Sequence, residues 1–420
     1  MQEIKRNDKM NNEKLLLILA GLILARFSCV ALSNIPFMTI TFVLIYVISF
    51  IVLFFLSIKT VTEMEAKALA ALIIYALEVV LITVPNSGLF NTQAFNAYIM
   101  VALFVLYLFT KRLDNKGKKL LFTVCLIGYV FTFAYSIIVL IQNPMLSRYA
   151  ATGKYSDSAE DSLNAIGGFD TVYGALLVFA ILLYLLPKVR KGKVKTAVIF
   201  SLVACIVFIV MATYATALVL MSVIAVVILL RKSKKWASVI ICVLLFALLF
   251  RGIIGDFIMG LSKDVGYSVV FKEKLYQIGY ILKTGESVGT LAGSEGRWAR
   301  IGWSLEAFLQ YPIFGAYGVD GVKIGFHSEI ADTLGRFGLV GFVALATFFY
   351  YSFNDIYCLV KTRRTKKCIT VCVNAYVLIA ILDPALYTQQ LIPIFLLLPT
   401  METLFNGENK DEKTTLSSSL

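Results

Sequence analysis

KTAVIFSLVACIVFIVMATYATALVLMSVIAVVILLR, from Lys195 to Arg231, decides what kind of chain this is. Its 35 interior residues carry no charge, and basic clusters close both ends. One continuous helix of that length would run ~52 Å at ~1.5 Å per residue, well beyond a hydrocarbon core of ~30 Å. It would also place its two basic ends on opposite sides of a membrane. A tight turn near Tyr214 meets both constraints and predicts two spans, 196–213 and 216–230.

Working outward, the same pattern recurs. The chain is 59% hydrophobic and only 15% charged, with a mean hydropathy of +0.82. Ordinary globular chains are about 45–50% apolar and about 25% charged, so this composition fits a multi-pass membrane protein. Apolar runs predict further spans at 14–32, 38–57, 68–85, 95–110, 120–141, 171–187, 236–254, 338–360, 368–385 and 388–405. The expected fold is therefore an all-α integral membrane protein of about twelve transmembrane helices, forming one domain over residues 1–420. Leu15–Leu32 is long enough to cross and reads as the first span, not as a cleaved signal.

The net charge of +13 raises the question of nucleic acid, but its distribution answers it. Of the 39 Lys and Arg, 25 fall in six segments, at 5–14, 59–67, 111–119, 188–195, 231–235 and 361–367. The short connections between, such as 33–37, 86–94 and 386–390, hold none. That asymmetry is the positive-inside pattern. It predicts that the clusters and both termini are cytoplasmic and that nucleic acid is not a partner. The seven cysteines lie in or beside apolar runs and read as small buried hydrophobes, without metal-ligand spacing.

Two connections are long, 142–170 and 255–337, and the alternation puts both outside. The second carries eight Lys/Arg against nine Asp/Glu. Loops of this length tend to be functional. Within it, 271–282, 297–311 and 328–336 read as short amphipathic helices, the third with Ser328 as N-cap. Trp298 and Trp303 suit the headgroup layer, so the loop is expected to lie along the outer face of the bilayer. The tail, 406–420, is polar and reads as disordered.

Polar chemistry concentrates in GSEGRWARIGWSLEAFLQYPIFGAYGVDGVKIGFHSEIADTLGRFGLVG, residues 293–341, which hold the only histidine, His327. Arg297 and Arg300 share a helical face with Ser304, and guanidinium forks bind phosphate oxygens bidentately. Pairing with Glu295 or Glu306, or contact with headgroups, fits the same spacing. His327 suits a proton acceptor near neutral pH, and equally a packed or capped histidine. Glu329 and Asp332 are placed to meet solvent, pair with Arg336, or face a sugar. Arg26, Glu78 and Asp383 fall inside apolar runs and Arg251 near the end of another. Such charges face a cavity or each other, since a lone charge at mid-helix costs about 2.5–3.5 kcal/mol. Arg26 with Glu78 is one pairing open to them. No P-loop, G-x-S-x-G or H-E-x-x-H is present, and no outer loop carries D-x-D.

Arg297, the run Pro312-x-x-Gly315-x-x-Gly318, His327, and LGRFGLVG at 334–341 together resemble the signature of the bacterial O-antigen polymerase and ligase superfamily. The likeness is strongest to its Wzy-type capsular and exopolysaccharide repeat-unit polymerases. That family often has Asn after the histidine, where this chain has Ser328. The resemblance implies a GT-C-like fold and a glycosyltransferase working without metal or cofactor. Its substrates would be undecaprenyl-diphosphate-linked oligosaccharides at the outer face of the membrane, with a flippase and a chain-length regulator of the same pathway as partners. It also implies that Arg297 holds the diphosphate and His327 contacts donor or acceptor. Arg300 joins the clamp, with Glu329 and Asp332 as further catalytic candidates and Arg26, Glu78, Arg251, Arg336 and Asp383 as substrate contacts. A ligase delivering glycan to another acceptor, or a flippase for the lipid-linked oligosaccharide, are the competing functions.

Overall fold

The computed structural model describes residues 2–33, 61–88, 91–143, 168–189, 192–212, 214–230, 251–264 and 297–403, with isolated positions at 51, 54, 146, 166, 272, 275, 276, 279, 280 and 283. Every regular element among them is helical. In chain order they are α1 (Gln2–Ser28), α2 (Val30–Ser33), α3 (Glu63–Ser87), α4 (Thr92–Arg112), α5 (Asn115–Gln142), α6 (Phe169–Leu185) and α7 (Lys193–Ala212). There follow α8 (Ala215–Leu230), α9 (Arg251–Asp264), α10 (Arg297–Gln310), α11 (Glu329–Leu359), α12 (Arg363–Leu382) and α13 (Thr388–Ile392). A π-helical turn (Pro393–Leu397) and α14 (Leu398–Thr400) close the series.

Six helices are long and apolar enough to cross a bilayer: α3, α4, α5, α7, α11 and, from Thr365, α12. Two shorter apolar helices, α6 and the 216–229 stretch of α8, join them. Six of the twelve expected spans are thereby accounted for among the described residues, by length and composition. Apart from positions 51 and 54, the predicted span at 38–57 lies outside the described residues, as does all but the end of that at 236–254. Helix α9 runs on to Asp264, into what reads in the sequence as the start of the large loop. The chain does divide near Tyr214, giving α7 and α8 in place of one long helix.

Helix α6 is the hub. It is apolar all round, and nearly every side chain from Thr171 to Leu185 is buried, as expected for a helix enclosed on every side. Helices α7, α8, α12 and α13 pack around it. Helix α3 packs along α11, and α1 along α5. Small residues set the closest approaches: a Cβ on Gly174 would lie 2.2 Å from the Gln389 carbonyl oxygen, and one on Gly128 2.0 Å from Ser28 Oγ.

The bundle has two polar ends. At one, Lys111 bridges Glu65 and Asp355, each at 2.8 Å, and Arg112 reaches Glu65 at 3.2 Å. The Tyr107 hydroxyl also donates to Asp355. Thr62 and Glu65 form a capping box that starts α3 here. At the other end, Arg336 bonds Gln93 of α4 and Tyr317 meets Ser87 of α3. From Gln93 to Lys111 the α4 axis runs about 27 Å at ~1.5 Å per residue, close to a hydrocarbon thickness of ~30 Å. Lys67 and the basic clusters 111–119 and 361–367 thus border the first end, where Asp355 of α11 stands beside Lys111 and four residues before Leu359.

Glu65 is 1% exposed, and removing one partner of a buried charge pair typically costs about 3–5 kcal/mol. Lys111→Met is therefore expected to destabilise the protein by about 3 kcal/mol, with Glu65 and Asp355 left facing each other. Thermal unfolding in detergent measures this; an unchanged midpoint contradicts the account of this end.

Candidate functional site

The site end is organised by a break in α11. Gly338 has φ 61 and ψ −157, outside any helical conformation, so Glu329–Phe337 and Leu339–Leu359 are two helical segments meeting at a corner. The predicted loop helix at 328–336 and the predicted span at 338–360 are these two segments. A break leaves backbone groups without intrahelical partners. The turn after α10 supplies them. Ala316 and Tyr317 N–H groups donate to the carbonyls of Gly335 (2.8 Å) and Arg336 (3.2 Å). In return, Leu339 and Val340 N–H groups donate to Pro312 (2.8 Å) and Ile313 (3.2 Å).

This backbone-to-backbone seam explains the glycines of both motifs. A Cβ on Gly315 would fall 2.2 Å from the Arg336 carbonyl carbon, and one on Gly338 2.4 Å from the Ile313 oxygen. Both also hold positive φ, which side chains rarely adopt. Gly318 abuts Asn86, Gly325 abuts the Arg300 carbonyl, and Gly335 abuts the Ser304 carbonyl.

Helix α10 spans Arg297–Gln310, as the periodicity predicts. Its Arg300, Ser304 and Ala307 turn toward the protein, Ser304 and Ala307 buried. Ser304 Oγ donates to Asp332 Oδ1 at 2.5 Å and accepts from Gly325 N–H at 2.9 Å. Asp332 also accepts from the Phe326 N–H (3.1 Å) and the Ser328 N–H (3.0 Å). Phe326 stands at φ 54, the one non-glycine positive φ among the described residues. Ser328 caps α11 as predicted, its Oγ accepting from Ala331 N–H.

These contacts bring His327 over Arg300, with Nε2 2.9 Å from the guanidinium Nη1. Arginine only donates, so Nε2 is the acceptor and the imidazole carries no proton there. Arg300 Nε is buried and makes no hydrogen bond. The pair thus combines a fixed cation with an unused N–H donor and a ring nitrogen whose lone pair the same cation occupies.

Glu329 and Asp332 are both buried, which removes the solvent-facing reading for them. Glu329 Oε1 accepts from Arg336 Nη2 (3.1 Å) and Thr333 Oγ1 (3.2 Å), and Oε2 from the Ala385 (2.9 Å) and Leu386 (3.3 Å) N–H groups. Arg336 also donates to Gln93 and, through Nε, to the Asp332 carbonyl at 3.0 Å. Asp383 accepts from the Tyr173 hydroxyl, and its carbonyl accepts from Glu329 N–H at 3.3 Å. Asp383 thus joins the Glu329 and Arg336 network. Beside it, burial, and then the Glu329 carboxylate, push the Tyr387 phenol up to about 12.

Glu78 faces Gly341 of α11; it is 8% exposed and neither carboxylate oxygen has a hydrogen-bond partner. The pairing with Arg26 is therefore not made. Arg26 lies half-buried in the last turn of α1, which packs on α5. Arg251 opens α9, and the side chains of Arg251 and Arg297 lie outside the described residues. Among the described residues no three His, Cys, Asp or Glu side chains stand together as metal ligands. Sequence reasoning missed Gln93, Tyr173 and Phe326; the Asn91 cap at the start of α4 was the one available pointer, and only to Gln93. No protein-family model matches the chain, and no curated protein is significantly similar to it.

A side chain at position 338 must adopt the unfavourable φ and displace the Ile313 carbonyl. Gly338→Ala is expected to cost at least 1–3 kcal/mol, roughly the range for a strained backbone position. Its unfolding midpoint in detergent should fall well below that of Gly302→Ala, where nothing lies within 4 Å of the added carbon. Equal midpoints contradict the seam.

Proposed function

We propose that the protein is a polysaccharide polymerase that joins oligosaccharide repeat units carried on undecaprenyl diphosphate. In this reading it is a GT-C-like membrane glycosyltransferase of twelve spans with both termini cytoplasmic, and the site end faces outward. The observation that carries the reading is the Arg300–His327 pair, a cation with a spare buried N–H beside a neutral imidazole. The resemblance of residues 297–341 to the O-antigen polymerase superfamily supports it, and so does the distance of the pair from the basic end.

The chemistry is a displacement at the anomeric carbon. The acceptor hydroxyl oxygen forms a bond to that carbon, the bond to the phosphate oxygen breaks, and the lipid diphosphate leaves. Negative charge grows on the diphosphate as it departs, so fixed donors in a water-poor site favour the transition state. Arg300, with Arg297 one turn earlier, supplies them. When the guanidinium turns to the diphosphate it uncovers His327 Nε2, which then accepts the proton of the acceptor hydroxyl. Binding the donor thus prepares the base.

Glu329, Asp332 and Arg336 serve this site as positioning residues. Their polar atoms are committed to loop 325–328, the 385–386 backbone and one another. Asp383 belongs to the same frame. Glu78, by contrast, keeps an uncommitted carboxylate, and with Arg26 and Arg251 remains a candidate contact for the substrate.

Cells lacking the protein should accumulate single repeat units on the carrier lipid. Reintroducing Arg300→Ala or His327→Ala should leave long polymer reduced about 10²–10³-fold, the usual loss for one transition-state donor. Arg300→Lys should recover only part, since an ammonium cannot form the fork. Gel ladders of extracted glycan read all three. Accumulated long chains would identify a ligase instead, and unaltered polymer in both alanine variants would remove this pair from the chemistry.

A further inference from the structure

Helix α10 and the turn that follows it expose a run of large apolar side chains, with Glu306 and Gln310 exposed along its edge. On α10, Leu305 and Leu309 point away from the face that holds Arg300, Ser304 and Ala307, and Leu309 is 76% exposed. The chain continues through Tyr311, Ile313 and Phe314, with Ile313 at 59% and Phe314 at 62% exposure. A run of large apolar side chains this exposed is a binding surface or a liability, since single soluble domains seldom carry one.

Three observations identify what covers it. First, the seam fixes its depth: Pro312 and Ile313 accept from the N–H groups of Leu339 and Val340, so the turn lies level with the first residues of the second α11 segment. Second, that segment, Leu339–Leu359, is ~31 Å long at ~1.5 Å per residue, matching a hydrocarbon core of ~30 Å. Asp355 and its ion pairs mark its far end, so Leu339 marks the near hydrocarbon boundary. Third, the patch runs into the exposed apolar stripe of that helix, Leu339, Val343 and Tyr350. The polar side of the loop stays above: Asp320 is exposed, and Lys323 lies over the Trp303 ring at 5.0 Å from its centroid.

We infer that α10 and the turn at Pro312–Phe314 are sunk into the acyl layer of the leaflet at the site end. The occupants of this surface are lipid acyl chains. The arrangement is that of an interfacial helix, apolar face in the acyl boundary and polar face turned away from it. It goes further than a loop resting on headgroups, because Leu309, Ile313 and Phe314 enter hydrocarbon. It does not depend on the proposed glycosyl transfer. Its consequence is mechanical: the helix that carries Arg300 is held from below by lipid and from behind by the Ser304–Asp332 hydrogen bond.

Nitroxide labels test this in the full-length protein reconstituted in phospholipid vesicles. Labels are placed at Leu309→Cys, Phe314→Cys, Val343→Cys and Asp320→Cys in a Cys358→Ser background, with the parent signal subtracted. Collisions with oxygen and with a water-soluble nickel chelate are measured. The labels at 309 and 314 should collide with oxygen as the 343 label does, and lose the nickel collisions that the 320 label shows. Nickel collisions equal to those at 320 would place the surface in water. Shielding from both reagents would mean that a protein, such as a second copy of this chain, covers it. Either result overturns the inference.

Discussion

Four backbone hydrogen bonds between residues 312–317 and 335–340 hold the polar end of this protein together. Non-helical backbone at membrane depth survives only where its N–H and C=O groups find partners, because hydrocarbon offers none. Breaking α11 at Gly338 frees such groups, and the turn after α10 takes them up one for one. The glycines at 315 and 338 follow from this closeness, since neither position has room for a Cβ. Everything the site contains is hung from that seam: α10 on one side, the loop to His327 above it, and the capped start of α11 beyond.

The charged residues divide by what they can still do. Asp332 and Glu329 look like acid–base candidates in the sequence, yet their oxygens are filled by Ser304, by loop N–H groups and by Arg336. A buried carboxylate with this many donors is fixed in place and shields the fold from an unpaired polar group. Arg300 and His327 stand 2.9 Å apart, and the buried Arg300 Nε has no hydrogen-bond partner. That spare N–H donor separates the pair from its frame. At the opposite end Glu65, Lys111, Arg112 and Asp355 balance two carboxylates against two cations, so burial of that cluster leaves no net charge behind.

Much of the helical fold was legible. Apolar runs gave α3, α4 and α5 but missed the first five residues of α3 and of α5, where charged and polar side chains open the helix. Basic clusters at both ends of 196–230 demanded the division at Tyr214, and Ser328 announced the start of α11. The corner at Gly338 was legible too, as the boundary between a loop helix and a span; less accessible was the seam that ties this corner to residues 312–317. The bonds from Glu329 to Ala385 and Leu386 cross more than fifty residues. No periodicity carries such information. The same holds for Glu78: hydropathy marks it as a costly charge, but only the packing of α3 on α11 puts Gly341 opposite it and leaves Arg26 on another helix.

Which side of the membrane the seam occupies decides whether a carrier lipid can present its diphosphate to Arg300 from outside the cell. Reaction of Asp320→Cys with a membrane-impermeant maleimide, in intact cells and in opened ones, measures this directly, since Asp320 is exposed and lies between the seam and His327. Full labelling in intact cells is the predicted result. Labelling only after the cells are opened would put Arg300 and His327 on the cytoplasmic side and contradict the proposed chemistry.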